Sequence, residues 1–283
     1  MTAFHYRLLN VFTTDGEPLS GNPLCVFENG AGLSDQTMQA LARQFNLSET
    51  TFLLPATSDS ANARVRIFTP GYEMPFAGHP TLGTAAVCRA MGLGSQSLRL
   101  EMKAGIIPVS AVGSRWTLTA NAPTYREVTV SRERLASLLG LSLADIGERP
   151  LWVKAGTEQL IVPLASVDAV RRAAPKSQVF RELRSEDGQG MAYLFAPSAP
   201  GRVLARFFFP QGESVMEDPA TGSATANLGG WCLAMQRPLP YSLIASQGEQ
   251  IKRPSTLFLE VDANRQIRVG GDVIELGRGQ IVL

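Results

Sequence analysis

The chain carries one short pattern twice, and this constrains its fold more than any bulk property. Pro75-Phe76-Ala77-Gly78-His79-Pro80-Thr81 is echoed by Pro219-Ala220-Thr221-Gly222-Ser223-Ala224-Thr225 at a spacing of 144 residues (219 − 75), and the same spacing carries Cys88 onto Cys232. An Arg-x-Phe-x-Pro run precedes each copy, Arg66 to Pro70 and Arg206 to Pro210. Further upstream, Ser48-Glu49 ahead of Phe52-Leu53-Leu54 is matched by Thr157-Glu158 ahead of Leu160-Ile161-Val162. Parts recurring in one order mean one structural unit built twice. The length of 283 residues suits two ordinary domains. We assign 1–122, completed by a C-terminal strand over 273–283, to the first, and 123–272 to the second.

Both halves read as short β-rich runs bounded by Gly, Pro, Asn or Ser, among them Arg64–Phe68, Ser97–Met102, Trp116–Leu118, Ala205–Phe209 and Leu257–Val261. Helices are few. Ser34 reads as an N-cap, with acidic Asp35 in the first turn and Met38, Leu41, Ala42 and Phe45 at helical spacing. Ser131, with Glu133 and then Leu135, Leu138 and Leu139, repeats that arrangement in the second half. After each copy of the repeated motif comes a helix, Pro80–Met91 and Ala224–Met235, that is nearly apolar all round and must therefore be buried on every side. The expected fold is α+β: two pseudo-symmetric domains, each a strand-rich sheet or barrel wrapped around a central helix.

With a net charge of +1 and basic residues spread along the chain, there is no electrostatic footprint for nucleic acid or an anionic membrane surface. Arg171, Arg172 and Lys176, the nearest approach to a basic cluster, read as a solvated helix face. The N-terminus lacks the basic start and apolar run of a signal peptide, and no stretch approaches a membrane span, so a cytoplasmic protein is expected. Cys25, Cys88 and Cys232 are too scattered for a disulfide framework and are expected as buried thiols. Two distant histidines and three separated cysteines form no metal-ligand cluster, and neither a Gly-x-Gly-x-x-Gly nor a P-loop follows any strand. No cofactor is expected.

Each central helix opens on a Pro-x-x-Gly turn, leaving unpaired N–H groups and the positive end of the helix dipole at its start. Facing each other across a pseudo-twofold axis, two such starts would hold a carboxylate or a developing enolate in one cleft. Gly78 and Gly222 alternatively form tight turns and nothing more. His79, at a predicted helix start, suits proton exchange near neutral pH, whereas His5 lies in a strand-like segment and reads as structural. Glu49 stands where a helix gives way to an apolar strand: either a partly desolvated base or a surface glutamate ending a helix. Asp218, before Pro219, is a cap for the second central helix or a substrate contact, and the two roles are compatible.

Gly21-Asn22-Pro23-Leu24-Cys25-Val26, Leu47-Ser48-Glu49-Thr50-Thr51-Phe52, Ala77-Gly78-His79-Pro80-Thr81 and Glu217-Asp218-Pro219-Ala220-Thr221-Gly222-Ser223-Ala224 together resemble the PhzF-like family of phenazine biosynthesis, within the wider diaminopimelate-epimerase fold. The resemblance runs through nearly the whole chain to Val269-Gly270-Gly271. It implies an isomerase, usually a homodimer, acting on a small carboxylate-bearing substrate. In it Glu49 takes a proton from one carbon and returns it to another, with His79, Asp218 and Ser223 assisting. Gly78 and Gly222 would offer N–H groups to the carboxylate, and Thr221 and Asn22 would join the substrate contacts. Racemising relatives use opposed thiols at the helix starts, where this chain has Ala77 and Thr221. Cys88 and Cys232 lie about ten residues further on, roughly 15 Å along the axis at about 1.5 Å per residue, which disfavours two-thiol chemistry. An amino-acid racemase using Glu49 with His79 or Asp218, and a protein-binding scaffold, stand as the alternatives.

Overall fold

The computed structural model describes all 283 residues. They form two compact units, Met1–Thr119 with Gly270–Leu283, and Ala120–Val269. Both boundaries lie three residues before those expected from the sequence (122 − 119 and 273 − 270). The Ala120 N–H already donates to the Ile267 carbonyl at 2.9 Å and that of Asn121 to the Ala155 carbonyl at 3.2 Å, tying the chain into the second unit from residue 120.

Unit 1 contains β1 (Ala3–Thr13), β2 (Asn22–Phe27), α1 (Asp35–Phe45), β3 (Glu49–Leu54), β4 (Ala63–Phe68), β5 (Glu73–Met74), α2 (Gly78–Ala90), β6 (Ser97–Met102), β7 (Gly105–Val112) and β8 (Arg115–Thr119). Unit 2 contains β9 (Thr124–Glu127), α3 (Arg132–Leu138), β10 (Leu151–Lys154), β11 (Glu158–Pro163), α4 (Val167–Arg172), α5 (Val179–Glu182), β12 (Ala192–Ala199), β13 (Arg202–Gln211), β14 (Ser214–Asp218), α6 (Gly222–Ala234), β15 (Tyr241–Gln247) and β16 (Ser255–Val261). The last strand, β17 (Ile267–Val282), begins in unit 2 and continues as part of unit 1.

In unit 1 the strands close on themselves. β1 pairs antiparallel with β2, β2 parallel with β3, β3 antiparallel with β4, and β4 parallel with β6. β6, β7 and β8 form an antiparallel meander, and β17 completes the ring between β8 and β1. Inside lies α2, touching β1, β2, β3, β4, β6 and β8. This explains why α2 has no polar face: His79 through Ala85, Val87 and Cys88 are all buried. At Gly83 a Cβ would stand 2.5 Å from Leu24 Cδ2, so the helix and β2 approach to a distance only glycine permits.

Unit 2 repeats the plan. β9, β10 and β11 are antiparallel neighbours, β11 and β12 are parallel, β12 and β13 antiparallel, β13 and β15 parallel, and β15 and β16 antiparallel. Against them packs α6, buried from Ala224 to Leu233. A Cβ at Gly230 would meet Val153 Cγ1 at 2.7 Å and Pro123 Cβ at 2.8 Å.

Two of the sequence correspondences need correction. The helices at Ser34 and Ser131 both form, each capped by its serine hydroxyl. Yet α1 joins β2 to β3, while the equivalent parallel pair β11 and β12 is joined by α4 and α5. So α4, not α3, stands in for α1. Nor does Thr157-Glu158 match Ser48-Glu49. In register, Thr50 on β3 faces Cys25 and Phe68, and Ala192 on β12 faces Leu160 and Phe208. β11 therefore corresponds to β2, and the unit 2 counterpart of Glu49 is Met191.

Candidate active site

The repeated arginines fix the frame on which the candidate residues sit. Arg66 grips Glu73 on β5 with two hydrogen bonds of 2.8 Å and lies 5.0 Å from the Phe68 ring centroid. Arg206 grips Glu217 on β14 at 3.1 and 2.7 Å and lies 4.6 Å from the Phe208 ring. Such bidentate pairs carry geometry as well as energy. They hold the strand before each central helix in the same register: Phe207 pairs with Asp218 as Ile67 pairs with Met74.

In unit 1, α1 ends at Phe45 with Asn46 in the left-handed region (φ 52°), and Glu49 opens β3 three residues later. A buried hydrogen bond of 2.8 Å between the Thr51 and Thr84 hydroxyls ties β3 to α2. This brings Glu49 Oε2 to 3.4 Å from His79 Nε2, the two side chains only 15% and 7% exposed. Burial pushes the His79 pKa down to about 3, outweighing the Pro23 backbone carbonyl, whose hydrogen bond to the ring favours protonation. The ring is thus neutral at physiological pH. Nε2 makes no hydrogen bond, so the nitrogen donating to Pro23 is Nδ1, and Nε2 turns a lone pair toward Glu49. That approach is favourable when the carboxyl carries a proton to share. The arrangement is suited to receiving a proton, holding it and giving it back. Asn22, beside Pro23 on β2, is fully buried.

In unit 2, Asp218 ends β14 three residues before the cap position of α6 (221 − 218). The cap position is Thr221, which makes no side-chain capping bond; its hydroxyl donates instead to Asp218 Oδ2 at 2.6 Å. Ser223, in the place of His79, accepts at 3.0 Å from Gln159 Nε2. The Gln159 amide cannot flip, because its Oε1 accepts from Asn227 Nδ2 at 2.8 Å while Asn227 also donates to the Thr157 carbonyl and accepts from the Ala155 N–H. With an oxygen lone pair engaged by Gln159, the Ser223 hydroxyl proton is directed elsewhere. Together with the opening N–H groups of α6, starting at Gly222, this end of the helix is a set of donors suited to a group that only accepts, such as a carboxylate. Gly78 opens α2 in the same way, after Ala77, which has no side-chain cap.

The structure thus brings Glu49 and His79 together within unit 1, and Asp218, Thr221, Gly222 and Ser223 within unit 2. A family model described as phenazine biosynthesis-like protein matches residues 9–277. The chain belongs to the PhzF-like family. An uncharacterised isomerase of Pasteurella multocida is 38% identical over 99% of this chain and 95% of its own length. The trans-2,3-dihydro-3-hydroxyanthranilate isomerase of Pseudomonas aeruginosa is 33% identical over 98% of this chain and 99% of its own. Among solved structures, a PhzF-family phenazine biosynthesis protein of Bacillus anthracis covers both chains fully, with 27% identity and a TM-score of 0.87. A hydroxyproline epimerase of Agrobacterium vitis, 13% identical over 99% of this chain and 93% of its own, with a TM-score of 0.68, shares the epimerase-like α+β fold. This PhzF-like protein is an isomerase.

Sequence reasoning had named Glu49, His79 and the two helix starts. It missed Gln159, Asn227, Gln247 and the Pro23 carbonyl, because amides and backbone oxygens have no motif of their own. The three cysteines are free and buried, with burial pushing the Cys88 thiol up to about 12 and Cys232 to about 11. No helix is long and apolar enough to cross a membrane.

Proposed function

We propose that this isomerase shifts a proton between two carbons of a small, unsaturated, carboxylate-bearing substrate, with Glu49 as the single acid/base and no cofactor. The observation that carries the reading is the Glu49 carboxyl 3.4 Å from a neutral, buried imidazole nitrogen. Glu49 takes the proton from carbon; the C–H electron pair enters the adjoining unsaturated system, a double bond shifts, and Glu49 returns the proton at the far carbon. While the proton rests on Glu49, His79 Nε2 accepts its hydrogen bond. Gly78, Gly222 and Ser223 donate to the carboxylate and to the negative charge that builds up as the C–H bond breaks. Asp218 accepts from a polar hydrogen of the substrate, such as an amino group.

The named substrate of the Pseudomonas aeruginosa relative, trans-2,3-dihydro-3-hydroxyanthranilate, has these features and is the first compound to test. A racemase needs a second base facing the first. The unit 2 counterparts of Glu49 and His79 are Met191 and Ser223, neither of which is a base at neutral pH. Incubation of that compound with enzyme in deuterated water separates the two readings. Proton shift by one base gives an isomer with the double bond moved and part of the original hydrogen retained. Deuterium at the α-carbon of unrearranged substrate would overturn the reading in favour of racemisation.

A further inference from the structure

We propose that Gln247 is a positioning residue for this reaction: from the end of β15 it fixes the Thr221 hydroxyl, and through it the Asp218 carboxylate, in a single orientation. The inference rests on the reading of Asp218 as a substrate contact. Gln247 is 1% exposed, and every polar atom of its amide is engaged. Its Oε1 accepts from the Thr221 N–H at 3.2 Å, and its Nε2 donates to the Asp218 carbonyl at 2.8 Å and to Thr221 Oγ1 at 3.0 Å.

These bonds have one permitted direction. A backbone N–H only donates, so the amide oxygen must face it and the amide cannot flip. Nε2 only donates, so Thr221 Oγ1 accepts from it. A carboxylate only accepts, so the remaining hydroxyl proton goes to Asp218 Oδ2, 2.6 Å away. A residue that merely braced the turn would need only the two bonds to main-chain atoms. The third bond acts on a side chain and reaches the carboxylate.

Unit 1 supplies the contrast. Strand β6 pairs with β4 as β15 pairs with β13, which places Met102 where unit 2 has Gln247. There Thr81 Oγ1 meets Met102 Sδ at 3.6 Å, and the position of Asp218 is held by Met74. Where no carboxylate has to be aimed, no amide is present.

The test uses Gln247→Met, which imports the unit 1 residue at nearly constant volume, and Thr221→Val, which removes the hydroxyl alone. Three-bond couplings to Asp218 Cγ in isotopically labelled protein should show one χ1 rotamer in the wild type and averaging in both variants. Turnover of trans-2,3-dihydro-3-hydroxyanthranilate should fall about tenfold in either variant, yet less than twofold further when either change is added to Asp218→Asn. An unchanged Asp218 rotamer in both variants overturns the proposal. So does an equal tenfold loss in the Asp218→Asn background, which would mark a purely structural role. If Asp218→Asn itself keeps wild-type turnover, the reading of Asp218 falls and this proposal with it. If Gln247→Met does not fold, Thr221→Val decides alone.

Discussion

The two units share a plan and differ in the polar groups they place on it. Three equivalent strand positions make the contrast: Glu49 against Met191, Met74 against Asp218, and Met102 against Gln247, each a polar group in one unit and a thioether in the other. The arginine forks, the central helices and the threonines that follow the Pro-x-x-Gly turns are the same in both: Thr81 Oγ1 donates to the Ala77 carbonyl at 2.7 Å and Thr225 Oγ1 to that of Thr221 at 3.1 Å. The two units share what holds the fold and differ in the polar groups they carry. In the proposed reaction unit 1 moves the proton, and unit 2 presents donors and an aimed carboxylate.

The strongest challenge to this division is Glu49→Gln, which leaves shape and hydrogen bonding nearly intact while removing the proposed base. Turnover should fall about 10³-fold with substrate affinity held, as general-base loss usually costs about 10²–10⁴; binding measured calorimetrically beside the kinetics checks both halves. Normal turnover would mean the chemistry belongs elsewhere.

Next is the framework itself. Both forks are partly buried, but Arg206 also donates to the Val170, Arg171 and Ala173 carbonyls at the end of α4, whereas the extra partner of Arg66 is Asp35, whose side chain is 81% exposed. Lysine cannot reproduce a fork. Arg206→Lys should cost about 3 kcal/mol in urea unfolding and Arg66→Lys about 1 kcal/mol, since an exposed partner contributes little. Equal losses would erase the distinction between the two forks.

His79 is held neutral in the folded protein, with its pKa at about 3 against 6.5 when exposed. The unfolded chain therefore takes up a proton that the folded chain refuses, so stability drops as pH falls below 6.5 and continues to drop toward 3. The loss should reach about 2 kcal/mol at pH 5, at about 1.4 kcal/mol per pH unit. His79→Asn should flatten that slope, leaving Ser223 in unit 2 with no counterpart effect. A smaller change is expected from Gln159→Leu, which frees the Ser223 hydroxyl: a rise in KM of about fivefold with kcat nearly constant, since one neutral hydrogen bond is involved. Least of all, Cys88→Ala with Cys232→Ala should leave turnover within about twofold, because buried protonated thiols cannot serve as bases. A large loss of kcat in a folded double variant would restore the two-thiol alternative.

Much of this was legible in the sequence. An all-round apolar run after a Pro-x-x-Gly turn has no other use than a buried helix, and α2 and α6 form within two residues of where they were expected. The Ser34 cap and the apolar residues at helical spacing made α1, the helix that leads to Glu49, readable as well. What failed was the pairing of strands. β3 and β11 are both short apolar runs after a polar pair, and only a strand's partners distinguish one from the other. For Asp218 the sequence left a cap and a substrate contact open together; that its carboxylate accepts from Thr221, itself held by Gln247 26 residues further on, is set by sheet register, which no local motif shows.

The closure of unit 1 by β17 has one more consequence. Glu49 and His79 are made early, yet the ring that buries them lacks a stave until residues 270–282 leave the ribosome. Unit 2, complete by residue 269, can fold first, and unit 1, which carries Glu49 and His79, matures after it. Deleting residues 270–282 would therefore expose the interior of the half that was synthesised first.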